Sequence, residues 1–194
     1  TGLMYFGREA MGSKNLLVKV LPKMSNFLKT NGPWSQLITL NNIQIQNTKF
    51  DESNSELSNV DVTPIKVPHR DEYSETAGYI IAGKNKKALF IPDIDKWEKW
   101  DKKLIDLVED FDYLLLDATF YDSEEINRDI SEIPHPLVSE TINLLKGLSK
   151  ENKRKIYFIH MNHTNPMLDL NSDLSKSIIM KGFNIARLGQ KLYL

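Results

Sequence analysis

Hydrophobic positions in the first third of the chain alternate with polar ones in short segments. This spacing predicts three strands, at 16–22, 37–46 and 61–68. Helical spacing predicts two short helices, at 3–11 and 22–30, the second beginning with a proline at its first position. The polar stretch at 47–60 indicates a loop or a hairpin tip. We therefore expect a β-rich beginning with two helices.

Further along, strands and helices alternate. Two apolar segments flank the turn GKNKK and predict an antiparallel hairpin over 76–93. Apolar residues at helical spacing predict one amphipathic helix over 97–111. The remaining predicted elements are a strand at 113–120, a helix at 136–148, a strand at 155–162, a helix at 172–181 and a strand at 183–194. This order is typical of a layered α/β (α+β) fold, and we expect one domain over residues 1–194.

Composition narrows the function classes. The 194 residues are enough for one domain with a core, and 41% hydrophobic with 26% charged residues is ordinary. The absence of cysteine excludes disulfides and thiolate metal sites. A net charge of −1 gives no strong nucleic-acid signal, and we interpret the basic run at 146–155 as a solvated connection. No apolar run is long enough to span a membrane.

Histidines and acids lie where predicted strands end. All four histidines follow predicted strands or closely precede a helix, and Asp93 and Asp117 also come at strand ends. Imidazole and carboxylate are common metal ligands in hydrolytic sites. The sequence therefore predicts a site at one edge of a sheet, assembled from segments that are far apart in the chain.

Seven segments carry a resemblance to a known family. They are TGLMYFGREAMG, NGPWSQL, VPHRDEYSETAGYII, LLLDATFYD, IPHPLVSET, IHMNHTNPML and ARLGQKLYL. In this order they resemble the metallo-β-lactamase fold superfamily, especially its pyrroloquinoline quinone biosynthesis protein B-like branch and more distantly RNase Z. The resemblance implies an αββα sandwich. Relatives carry a His-x-His-x-x-His run before such an opening, so we expect that the N-terminal strands precede Thr1 in a longer protein.

The resemblance also implies metal ligands. His69, Asp93 and His160 match the later ligands of the superfamily, and Asp93 matches the acid that bridges two cations. Asp95 points the same way in an extended chain, and either acid could cap a helix starting near Lys96. We favour Asp93 as a ligand, and Asp95 as an N-cap that also lines the pocket.

Other residues match catalytic or supporting positions. Asp117 is placed to hold His135 by a hydrogen bond, and His135 matches a histidine that protonates the leaving group in phosphodiesterase relatives. Because Pro136 follows it, His135 could equally be a structural residue at a helix start. We interpret His163 as a pocket-lining residue, with metal ligation as the less favoured alternative. Asn162 and Asn165 would supply hydrogen bonds.

These matches imply a metal-dependent hydrolase in which metal-bound hydroxide attacks a phosphodiester or ester-type substrate. Zinc is the expected cation, with iron or manganese as alternatives. An iron-dependent oxygenase of the quinone-cofactor type and a non-catalytic binding domain stay open. We expect a small-molecule or peptide substrate, weak or no activity from these 194 residues alone, and leave a homo-oligomer open. A cytoplasmic location is favoured, although a signal peptide could precede Thr1.

Overall fold

The computed structural model describes residues 2–57, 59–125 and 133–194. Contacts divide the chain into two compact units. One contains Thr1–Glu52 and Asp71–Glu75, and the other contains Ser53–Arg70 and Thr76–Leu194. One domain over residues 1–194 stays a prediction.

The first unit contains a small parallel sheet and short helices. Its elements are a 3-10 helix at Gly2–Phe6, β1 at Leu16–Val20, α1 at Pro22–Thr30, α2 at Trp34–Thr39 and β2 at Ile43–Asn47, with β1 paired to β2. The helix expected at 3–11 is therefore only one short 3-10 turn. The strand expected at 37–46 is wrong in its first half. Asn41 takes a positive φ of 56° and Asn42 N donates to Leu37 O, which ends α2 before β2 begins.

The second unit is built on a seven-stranded mixed sheet. In spatial order its strands are β3 at Asn54–Leu57, β4 at Val60–Lys66, β5 at Ala77–Ala82, β6 at Lys87–Ile91, β7 at Tyr113–Asp117, β8 at Ile156–Ile159 and β9 at Asn184–Ile185. Strands β3 to β6 pair antiparallel, which confirms the predicted hairpin, and β6 to β9 pair parallel. The predicted loop at 47–60 contains β3. The strand expected over 183–194 is wrong in length, because only β9 forms.

Helices and turns connect these strands. They are 3-10 turns at Trp97–Lys99, Val108–Asp110 and Pro166–Leu168, with α3 at Leu104–Leu107, α4 at Val138–Leu144, α5 at Lys150–Lys153 and α6 at Asp173–Met180. The single helix predicted over 97–111 is wrong. The Trp97 indole donates to Thr141 Oγ1, while the Trp100 indole donates to Lys66 O, 2.9 and 3.0 Å away. These contacts with two different elements hold the segment in separate short turns.

The core lies on one face of this sheet, and the candidate chemistry lies at one edge. Leu89, Leu114 and Phe158, from three parallel strands, are completely buried. The carboxyl ends of parallel strands meet at one edge, so residues that follow them become neighbours. The mixed sheet with its helices confirms the predicted α/β (α+β) fold class. No helix of the described residues is long and apolar enough to cross a membrane.

Candidate metal centre

The structure brings together residues from five separate segments. His69 follows β4, Asp93 follows β6, Asp117 ends β7, His160 directly follows β8, and His135 precedes α4. Potential ligand atoms lie within 4.8 Å of one another in two sets, His69–Asp93–His135 and Asp93–Asp117–His160. Asp93 belongs to both sets. This arrangement fits the predicted bridging position, although ligation by these residues stays a prediction.

His69 and Asp93 approach closely without a hydrogen bond. His69 Nε2 and Asp93 Oδ1 are 2.7 Å apart, an ion-pair distance, yet both atoms are buried and neither has a hydrogen-bond partner among the described residues. The two atoms can be this close without a hydrogen bond if donor and acceptor are poorly aligned, because a hydrogen bond weakens steeply when its angle is poor. A nitrogen and a carboxylate oxygen in this relation fit a shared divalent cation.

The carboxylate of Asp117 is the most heavily bonded group of the site. It is completely buried and accepts hydrogen bonds from Ile94 N at 3.2 Å, Thr119 N at 2.8 Å and His135 Nδ1 at 2.8 Å. Burial by itself raises the pKa of Asp117, but the hydrogen bond from His135 and the attraction of the nearby His160 imidazole outweigh it, and the pKa falls to about 2. A carboxylate only accepts, so His135 carries its proton on Nδ1 and keeps Nε2 free.

Thr119 completes the site and was missed in the sequence. Its Oγ1 lies 2.7 Å from Asp117 Oδ1, 3.2 Å from His135 Nδ1 and 3.0 Å from His160 Nδ1. The hydroxyl donates its single proton to the carboxylate and therefore accepts from His160 Nδ1. His160 consequently also keeps Nε2 free. The only signal in the sequence is that Thr119 follows a strand-end acid by two residues.

His160 combines an unusual backbone with a charged environment. Its φ of 61° lies in the left-handed region, which is uncommon for a residue with a side chain. The interaction with the Asp117 carboxylate raises the pKa of His160, and partial burial opposes this shift. Backbone hydrogen bonds from Ala118 N to Ile159 O and from Asn162 N to Thr119 O tie together the loops after β7 and β8.

The amides after His160 support these loops. Asn165 is buried, donates to Ala118 O at 2.7 Å and accepts from Met167 N at 2.9 Å, so it links the two loops. Asn162 bonds through its side chain to the neighbouring residues Thr164 and His163. His163 is exposed and belongs to neither set of potential ligands among the described residues. Pocket-lining roles for His163, Asn162 and Asn165 stay predictions.

Asp95 does not cap a helix as expected. Lys96 is the N-cap of the turn at Trp97–Lys99, and no side chain caps it. Asp95 instead accepts from Lys96 N at 2.7 Å and from Lys99 Nζ at 2.8 Å. Burial alone would raise the pKa of Asp95, but these two hydrogen bonds lower it below its usual value. The side chain stabilises the turn directly after Asp93.

Comparisons with known proteins support the resemblance found in the sequence segments. Coenzyme PQQ synthesis protein B of Pseudomonas putida (strain GB-1) is 27% identical over 103 residues, which cover 48% of this chain and 33% of the relative. Zinc-bound PqqB from Methylobacterium extorquens matches with a TM-score of 0.75 and 20% identity, over 100% of this chain and 66% of that one. The metallo-beta-lactamase fold protein YhfI from Bacillus subtilis matches with a TM-score of 0.59 and 15% identity, over 96% of this chain and 68% of that one.

These matches show a metallo-β-lactamase fold and similarity to the PqqB-like branch, as the sequence predicted. The chain spans about a third of the curated relative by sequence and about two thirds of the Methylobacterium extorquens protein by structure. Residues 8–161 match the model of the beta-lactamase superfamily domain. That match covers most of the sequence, and the chain therefore belongs to the beta-lactamase superfamily domain family.

Proposed function

We propose that this protein is a metal-dependent hydrolase that cleaves a phosphodiester or ester-type bond in a small-molecule or peptide substrate. His69, Asp93 and His160 would supply ligands for divalent metal, with Asp93 common to both sets of potential ligand atoms. The observation that carries the proposal is the buried approach of His69 Nε2 to Asp93 Oδ1 at 2.7 Å without a hydrogen bond. Zinc is the first choice because the similar PqqB of Methylobacterium extorquens is zinc-bound.

The cation would act as a Lewis acid on the substrate and lower the pKa of a nearby water. The chain's own contribution is to hold and deliver a proton. Asp117 accepts the Nδ1 proton of His135, which orients the imidazole and stabilises its protonated form. His135 can then donate a proton from Nε2 to the leaving-group oxygen. Thr119 holds His160 in the orientation that keeps its Nε2 available.

An iron-dependent oxygenase is the second candidate. It is favoured by the similarity to coenzyme PQQ synthesis protein B over 103 residues. A donor set of imidazoles and carboxylates with open positions serves iron as well as zinc. Metal identity therefore separates the two candidates, and a non-catalytic binding domain is the third outcome.

Elemental analysis tests the proposal directly. The 194-residue chain and the product of the complete reading frame are purified side by side, and zinc, manganese and iron are measured per chain. We expect near-stoichiometric zinc in the complete product and its loss in His69→Ala, with His163→Ala as the matched control that keeps the metal. Iron in place of zinc favours the oxygenase, and no metal in either protein refutes both enzyme candidates.

His135 provides a second test, because its proposed task is proton transfer. With a phosphodiester whose leaving group is an alcohol, and therefore needs a proton as it departs, His135→Ala should keep its metal and lose activity by ~10²–10⁴-fold. Loss of the metal together with activity would instead assign His135 to the ligands. Unchanged activity would leave the residue as a structural histidine at the start of α4.

A further inference from the structure

A chain of side-chain hydrogen bonds runs along the loop that carries His160. Glu125 accepts from Thr164 Oγ1 at 2.5 Å, and Thr164 Oγ1 accepts from Asn162 Nδ2 at 2.8 Å. The chain ends at His163, whose Nδ1 lies 3.1 Å from Asn162 Oδ1. At its other end Glu125 accepts from Tyr121 N at 2.6 Å. Five residues from two loops at the same sheet edge are thus connected.

The direction of each bond in this chain is determined by chemistry. The Glu125 carboxylate has no proton to give, so the single hydroxyl proton of Thr164 points to it. Thr164 Oγ1 must then accept from the amide nitrogen of Asn162, which turns Asn162 Oδ1 towards the imidazole. An oxygen acceptor requires a proton on His163 Nδ1. The neutral ring therefore carries a lone pair on Nε2.

That lone pair lies on the loop that carries His160. His163 is exposed, and its Nε2 makes no hydrogen bond within the described part of the chain. The loop is held at the site because His163 lies three residues after His160 and Asn162 N donates to Thr119 O at 3.0 Å. Thr119 in turn bonds to His160. A hydrogen-bond acceptor with a set tautomer is thus presented on the loop that carries a proposed metal ligand.

We propose that His163 is a substrate-positioning residue whose Nε2 accepts a hydrogen bond from a hydroxyl or N–H group of the substrate. Glu125 acts through Thr164 and Asn162 to hold the required tautomer. The substrate class is thereby narrowed to esters that carry a hydrogen-bond donor within reach of this loop. This inference rests on the proposed hydrolase function, but its first measurement does not.

Glu125→Gln should reverse the direction of the side-chain hydrogen bonds between Thr164 and His163. The backbone N–H of Tyr121 still needs an acceptor, so the amide oxygen of the new glutamine faces Tyr121 and its NH2 group faces Thr164. Thr164 must then donate to Asn162, whose amide turns over and presents NH2 to His163. The imidazole now accepts at Nδ1 and carries its proton on Nε2.

Nitrogen NMR of the imidazole rings reads this tautomer directly, at alkaline pH where imidazole is neutral. We expect an Nδ1–H signature for His163 in the wild type and an Nε2–H signature in Glu125→Gln. The matched control is Glu124→Gln, which changes an exposed neighbouring acid outside the chain of bonds and should leave the Nδ1–H signature. A wild type with Nε2–H, or no change in Glu125→Gln, overturns the inference.

Two probes that differ in their donors test the contact with the substrate. The p-nitrophenyl ester of thymidine monophosphate carries a hydroxyl group, whereas bis(p-nitrophenyl) phosphate carries no donor. With the zinc-loaded protein, His163→Ala should lower kcat/KM for the thymidine ester by about two- to tenfold more than for the other probe, the value of one hydrogen bond. His163→Gln offers an amide oxygen in place of Nε2 and should restore part of the loss.

The outcomes separate this inference from the proposed function. If neither probe is hydrolysed, binding of both is measured by calorimetry. A selective loss for the thymidine ester in His163→Ala then supports the positioning role while the hydrolase proposal fails. Equal losses for both probes, no loss for either, or no binding of either overturns the positioning role, even where zinc-dependent hydrolysis is found.

Discussion

The left-handed backbone of His160 predicts that glycine at this position gives a more stable protein than alanine, the reverse of the usual order. At a φ of 61° a residue with a Cβ atom costs roughly 1–2 kcal/mol, whereas glycine enters this region freely. His160→Gly and His160→Ala both lose the imidazole and its contact with Thr119, so they differ mainly in the Cβ atom. Glycine also loses about 0.4–1 kcal/mol through the entropy of the unfolded chain. His160→Gly should therefore be more stable than His160→Ala by on the order of 1 kcal/mol.

His163 supplies the matched control, because it is an exposed histidine in the same loop and is not among the residues with positive φ. At position 163 only the entropy of the unfolded chain distinguishes the two substitutions. His163→Gly should thus be less stable than His163→Ala by about 0.4–1 kcal/mol. The difference in stability between the glycine and the alanine variant therefore has opposite signs at positions 160 and 163.

Urea denaturation followed by tryptophan fluorescence measures both pairs. The proteins are first treated with a chelator, because a bound metal adds stability that depends on its free concentration. Comparison within each pair cancels the loss of the histidine side chain. Equal stability of the two variants at 160, or a more stable His160→Ala, refutes the reasoning and removes the argument that the loop is strained at this residue.

Two further predictions concern supporting residues. Thr119→Val keeps the shape of the side chain but removes the hydroxyl that lies 2.7 Å from Asp117 Oδ1. Zinc affinity, measured by competition with a chelator, should therefore fall about 10- to 100-fold. An unchanged affinity contradicts the proposal that Thr119 holds the site in place. A Cβ atom at Gly83 would lie 2.5 Å from Leu194 Cβ, so Gly83→Ala should lower the free energy of unfolding by about 1–3 kcal/mol. Gly147→Ala, where a Cβ atom meets nothing within 4 Å, should instead raise the free energy of unfolding by about 0.4–1 kcal/mol through the entropy of the unfolded chain, and equal effects at both glycines would contradict the contact with Leu194.

The sheet edge could be predicted because burial and chemistry are adjacent in the sequence. β7 and β8 are nearly continuous apolar runs, and Asp117 and His160 end or directly follow them. Parallel pairing then brings these ends together without further information. Asp93 follows β6 in the same way, so its approach to the other two was a consequence of strand order.

The segment over 97–111 shows why the elements between strands were harder to predict. Apolar residues at helical spacing indicate which side chains are buried, but they do not show that the backbone continues in one helix. Trp97 and Trp100 are both buried, each with its own hydrogen-bond acceptor, and those acceptors lie on different elements. Partners of this kind are distant in the sequence and leave no periodic signal.

Which nitrogen of each histidine carries the proton could not be predicted from the sequence, for a different reason. Residue types identify possible ligands, but a histidine can bind or transfer a proton only through the nitrogen that its partners leave free. The Asp117 carboxylate can only accept, so His135 donates to it from Nδ1. The hydroxyl of Thr119 also donates to Asp117 and therefore accepts from His160 Nδ1. One buried carboxylate thereby sets which nitrogen of two histidines is available.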